Sequence, residues 1–313
     1  MKKQKFLMWS VGRGLTAIIA WLTIVGVSTS IQAQSRQGLA GCWIRESDLY
    51  QGWVVEITDI GEGEFEAKSL WIPDYPRELN SFQIGEKKMR RMKIRSDGVY
   101  LVESLSRDSE GATSYSEMEL SFSTADRFVM LDDLPTGEIG DKQIWRRIKP
   151  NEIGMAYADY GRGVIASERE RFAVAIAAYR RAAKRILQEE DLKLYSDLAN
   201  DLAWRLATTR NDELRDPKLA LQLVPALANW YQHTDTAAAV HAANGDFDTA
   251  TRLQEEALRD IRAESAASVY LRNNGLNENN FMLQFAAALA IGGMKDDFAK
   301  RLDSYRSKQA YRE

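Results

Sequence analysis

Cysteine occurs once in the 313 residues, histidine twice and proline six times. The single thiol, Cys42, makes no internal disulfide, so stability rests on packed cores. His233 and His241 stand eight residues apart, too far to share a metal on one helix. With no H-E-x-x-H and no cysteine cluster either, a metal site of the usual nitrogen and sulfur type is not expected. Gly161-Arg-Gly163 is too short for a phosphate-cradling loop, and no G-x-S-x-G elbow occurs. No cofactor and no enzymatic activity are expected. A carboxylate pair for sugar hydrolysis is defined by spatial separation and has no spacing signature. A hydrolase working near Pro150 therefore stays as the least favoured reading.

An excess of basic charge is also missing. The net charge is −3, and residues 1–33 hold four basic side chains (Lys2, Lys3, Lys5, Arg13) and no acids. The remainder carries 38 basic against 45 acidic residues. Nucleic acid is excluded as the main ligand, because neutralising phosphates needs a basic footprint.

What is present begins with an export signal. Three lysines precede Leu15 to Val27, a run of 13 uncharged residues, and Ser28 to Ala33 supplies small residues before Gln34. A membrane-spanning helix needs about 20 apolar residues, so the run reads as a signal core with cleavage after Ala33. Residues 1–33 are the expected signal peptide and the destination is periplasmic or extracellular. An uncleaved anchor is the alternative. Leu39-Ala-Gly-Cys42 spells a lipobox but lies eleven residues beyond the apolar run. Cys42 is expected to open a strand; lipidation is the other reading, and either lipidation or an uncleaved signal would bring membrane attachment.

Residues 38–150 read as a β-rich domain. Period-two alternation recurs over Cys42–Glu46, Trp53–Thr58, Glu64–Trp71, Lys88–Arg95, Val99–Leu105, Tyr115–Ser123, Phe128–Leu131 and Gln143–Ile148. Gly-rich breaks separate them, and spacing near ten residues predicts an antiparallel barrel or sandwich. Gly41-x-Trp43 opens the module and Trp145-Arg-Arg147 closes it. The pair is similar to small lipocalin-like barrels, which implies Trp43 packed beside Arg146 or Arg147. A hollow barrel would let Trp53, Phe65, Trp71, Phe82, Tyr100 and Phe122 line an apolar pocket; a filled one would bury them as core. Lys87 to Arg95 is the one dense basic run and reads as a solvated strand.

Beyond Pro150 the period becomes helical, and residues 151–313 read as an all-α repeat array with capping helices at its end. Ala175, Tyr179 and Ala182, then Ala220, Val224 and Leu227, then Ala250, Gln254 and Ala257 share a four-then-three spacing that sets each trio on one helix face. Small residues precede each trio: Gly161 and Gly163, then Ala203, then Ala238 and Ala242. Asp216 is expected to cap a helix opening at Pro217. Phe281–Ile291 and Lys295–Arg306 are expected as a final pair. The pattern resembles the tetratricopeptide repeat, although its intervals of 45 and 30 residues depart from that family's period. Asn200 to Leu223, with the closing Tyr305-Arg306 and Tyr311-Arg-Glu313, is similar to exported bacterial members.

The fold expected is α+β in separate domains, a β-barrel or sandwich followed by tetratricopeptide-like helices. The resemblance implies a groove that holds a protein or peptide partner. By position, Tyr157, Tyr160, Arg162, Asn200, Arg205, Thr236, Val240 and His241 would line it, with Arg162 and Arg205 taking a carboxylate. The function expected is an exported, non-enzymatic scaffold or adaptor. The alternative is a carrier with an apolar small molecule in the barrel.

Overall fold

The computed structural model describes residues 38–47, 51–73, 82–107, 112–133, 139–263 and 281–313. The expected signal peptide and its cleavage site lie outside them. Eight strands follow in chain order: β1 Gly41–Arg45, β2 Val54–Gly61, β3 Glu64–Trp71, β4 Lys87–Ile94, β5 Tyr100–Arg107, β6 Thr113–Thr124, β7 Arg127–Asp133 and β8 Ile139–Arg147. Each pairs with its neighbour and β1 returns to β8, which closes an antiparallel barrel. Closure leaves no open edge to recruit other strands.

Turn chemistry sets the register. Glu62 and Gly63 join β2 to β3 with φ of 53° and 74°, the pair of positive angles that a two-residue type I′ turn demands. In β4 the apolar Met89 and Met92 are three apart, which period two would place on opposite faces. A bulge at Arg91, φ 52°, absorbs the extra residue, and both methionines are buried. Inside the barrel, rings form a continuous chain. Phe65 meets Tyr100 at 6.2 Å, Tyr100 meets Phe122 at 6.3 Å, and Phe122 meets Phe128 at 6.0 Å. Trp43 lies 4.6 Å and Trp145 lies 6.1 Å from Phe128. Such pairs add about 0.5–1.5 kcal/mol each beyond area burial.

Two units divide the chain. One comprises Met1–Gln51, Val55–Lys68 and Lys87–Arg147; the other comprises Gly52–Val54, Ser69–Glu86 and Ile148–Glu313. The second therefore takes in Ser69–Glu86, a stretch that sequence reading assigned to the β module. Its helices are α1 Gly154–Glu168, α2 Phe172–Ile186, α3 Ser196–Thr208, α4 Pro217–Leu223, α5 Tyr231–Ala243, α6 Phe247–Ala263 and α7 Phe281–Arg306.

Glycine fixes the approach of α1. A Cβ at Gly163 would stand 2.4 Å from the Tyr179 ring of α2, and one at Gly161 would stand 2.0 Å from the Leu70 carbonyl oxygen. Asp216 caps α4 by accepting from the Leu219 N–H at 3.2 Å, with Pro217 in the first turn as expected. The helix then stops early. Pro225 has no N–H to give the Leu221 carbonyl, so Val224–Ala226 tightens into a 3₁₀ turn and Leu227 is extended. The Ala220, Val224, Leu227 trio therefore does not share a helix face, whereas those led by Ala175 and Ala250 do. The expected final pair is a single helix, α7, because Gly292-Gly293 does not break it.

A buried ion pair ties α5 to α7. Arg301 donates to Asp235 at 2.8 Å, and Gln254 of α6 donates to the same carboxylate at 2.7 Å. The guanidinium also lies about 5 Å from the rings of Trp204, Phe298 and Tyr311. Burial pushes Asp235 above the ordinary carboxylate range, while Arg301 and Gln254 pull it back.

Candidate binding cleft

Charge on the barrel is paired off locally. In β4, Lys87 meets Glu66 at 2.7 Å, Arg90 and Arg91 share Glu103 at 2.5 and 2.7 Å, and Lys93 meets Glu64 at 2.8 Å. Arg95 reaches Asp97 and Glu119 at 2.6 and 2.7 Å, and Lys88 donates to the Leu105 carbonyl. The basic run thus alternates with acids on neighbouring strands and presents no concentrated positive field. At the seam, Arg147 is the arginine that packs on Trp43, 4.2 Å from the ring centroid, and it donates to the Ala40 carbonyl at 2.8 Å. Gly41 is required beside it: its φ is +132° and a Cβ would stand 2.8 Å from Arg147 Nη1. Arg146 turns instead to Glu46 at 2.9 Å.

In the helical unit a cleft of about 740 Å³ opens beside α1 and α3. Tyr160, Val164, Ser167 and Glu168 of α1 line one side, and Asp201, Trp204, Arg205 and Thr208 of α3 line another. Both sets follow from three- and four-residue helical spacing. Phe82, Gln83 and Ile84, with Thr209, Leu214 and Glu313, complete the walls. Trp204 Nε1 donates to Glu313 Oε2 at 2.6 Å, and the Glu313 N–H donates to the Thr208 carbonyl at 2.8 Å. These bonds fix the Glu313 carboxylate at the cleft.

Among the eight residues predicted to line a groove, the cleft unites two, Tyr160 and Arg205. Burial raises the Tyr160 hydroxyl well above the ordinary phenol range, with the Asp201 charge adding to it and the Arg205 hydrogen bond opposing it. Burial alone would lower Arg205, but Tyr160, Tyr179 and Asp201 outweigh it and hold the guanidinium charged. Tyr157 is a packing residue, its ring 5.0 Å from Trp71, and burial with the Asp197 charge pushes its hydroxyl up to about 12. Arg162 joins Arg181 and Arg185 around the buried Asp159, at 3.5, 3.2 and 3.2 Å. Asn200 is half-buried on α3, and its Oδ1 has no hydrogen-bond partner among the described residues.

Thr236 and Val240 are 3% and 0% exposed and line no groove. The helix that bears them, α5, is buried on nearly every side and has no open face to offer. His241 stands at the end of α5, with Nδ1 3.1 Å from Asp246, the residue whose Oδ1 also caps α6. Its place is the turn between helices, not the cleft. His233 is buried, with Nδ1 accepting from the Ala228 N–H at 3.0 Å and Nε2 3.5 Å from Asp197. Burial lowers its pKa against the opposing pull of Asp197.

Sequence reasoning missed Glu168, Asp201, Trp204 and Thr208, although the last three recur with Arg205 on one face of α3. It had no signal for Phe82–Ile84, which arrive from a segment distant in the chain. Among the described residues no group of three or more His, Cys, Asp or Glu side chains is placed to share a metal ion, and no helix is long and apolar enough to cross a membrane. Family models, curated proteins and solved structures yield no match to this chain.

Proposed function

We propose that this protein is an exported, non-enzymatic adaptor whose tetratricopeptide-like helical unit holds a segment of a protein partner. The observation that carries the reading is the 740 Å³ cleft, walled by the first helix of one pair and the first helix of the next. That size suits a few side chains of an extended peptide. Support for the repeat resemblance comes from the buried Ala175, Tyr179 and Ala182, the buried Ala250, Gln254 and Ala257, and Gly163 packed on Tyr179. The shortened α4 accounts for the short interval from Ala220 to Ala250. Trp43 beneath Arg147 supports a lipocalin-like barrel. Its interior rings contact one another, which favours a filled core and supports a binding role for the helical unit.

Affinity capture from an envelope extract tests the reading, with the full chain against Ser167→Trp and Thr209→Trp variants that fill the cleft. A protein retained by the wild type and released by both fillings is the expected result. Equal retention by all three, or recovery of a small apolar molecule from the purified protein with no protein partner, would transfer the function to the barrel.

A further inference from the structure

The cleft has a sign. Three carboxylates line it, those of Glu168, Asp201 and Glu313, against one guanidinium, that of Arg205. That guanidinium shares the cleft wall with Tyr160 and Asp201, which favour its charged form and hold it there. Arg205 is therefore a poor receptor for an incoming carboxylate, the role its residue type suggested. An anionic guest would also meet Glu168 and Glu313, and like-charge contact in a partly desolvated cleft is strongly disfavoured.

We propose that the cleft receives a cationic side chain of its partner peptide, arginine before lysine, flanked by apolar residues. The inference deepens the adaptor reading and rests on it. A guest cation restores neutrality to a lining with two surplus negative charges. Guanidinium is favoured because it is weakly hydrated and its planar fork can serve two carboxylates at once. Phe82, Ile84, Val164 and Leu214 supply the apolar wall for the flanking residues.

The test is selection of random dodecapeptides on the immobilised full chain, with counter-selection on Ser167→Trp and Thr209→Trp. Binders that need the open cleft should be enriched in arginine. For a synthetic binder followed by fluorescence anisotropy, Kd should rise about fivefold in Glu168→Gln, the size expected of a single partly exposed ion pair. It should also rise with salt. Glu168 is an exposed residue, so its variant reads charge without disturbing packing. Cleft-dependent binders that are acidic or uncharged, or a Kd unmoved in Glu168→Gln, would overturn the cation inference and leave the adaptor reading intact. Binders indifferent to both filling variants would overturn the adaptor reading, and this inference with it.

Discussion

Replacing Gly161 by alanine puts two effects of opposite sign in competition. In a helix interior, alanine is favoured over glycine by about 1 kcal/mol. Yet the new Cβ would stand 2.0 Å from the Leu70 carbonyl oxygen and 2.6 Å from its carbonyl carbon and Cα. Carbon and oxygen normally approach to about 3.3 Å, so backbone must retreat by roughly 1.3 Å. No rotamer change relieves a clash with main chain, and the retreat would strain the contacts of Trp71 with Tyr157 and Tyr160, at 5.0 and 5.8 Å. Overpacking costs about 1–3 kcal/mol, and a rigid neighbour puts this case at the upper end. The net expectation for Gly161→Ala is a loss of about 2 kcal/mol, read in urea unfolding by the helical circular dichroism signal. Gly292→Ala is the control: among the described residues nothing lies within 4 Å of its Cβ, so it should gain up to about 1 kcal/mol. Gly161→Ala as stable as the wild type would refute the close approach of α1 to residues 69–71.

Arg147→Met should cost about 1–3 kcal/mol through the lost Trp43 contact and Ala40 hydrogen bond, while Arg146→Met costs under 1, measured by chemical denaturation. Asp235→Asn leaves Arg301 charged and buried and should destabilise by about 3–5 kcal/mol, whereas Asp235→Leu combined with Arg301→Met should recover much of that loss in the same assay. His233 has a lowered pKa, so the unfolded chain takes up its proton first as pH falls below 6.5; stability should drop there, and less so in His233→Asn, which keeps an acceptor for the Ala228 N–H. Tyr157, raised to about 12, should do the reverse: its contribution is complete below pH 10 and is lost towards pH 12, about 3 kcal/mol in all, seen as delayed tyrosinate absorbance in the native protein against denaturant.

The barrel was legible because alternation and Gly-centred turns are local signals; all eight expected strands form, with ends shifted by a few residues. The choice between Arg146 and Arg147 was not legible, since it depends on pairing Trp43 opposite Arg147, a residue far along the chain. Helix existence was legible and helix faces less so. In α5, alanine-rich sequence left the face of Thr236 and Val240 ambiguous, and burial on nearly all sides removed the groove expected there. The cleft was half legible. Tyr160 and Arg205 follow from helix pairing, but Phe82–Ile84 come from a segment whose membership in the helical unit no periodicity reveals. Arg205 was found by residue type, while its place beside Tyr160 and Asp201 is a tertiary fact.

The adaptor claim is met most directly by photo-crosslinking in intact cells, with a photoreactive residue at Ser167 or Thr209 of the full chain and, as reference, at the exposed Ser121 on the barrel. A discrete protein adduct from both cleft positions and none from Ser121 is predicted. Adducts from Ser121 alone, with the cleft positions silent, would contradict the account.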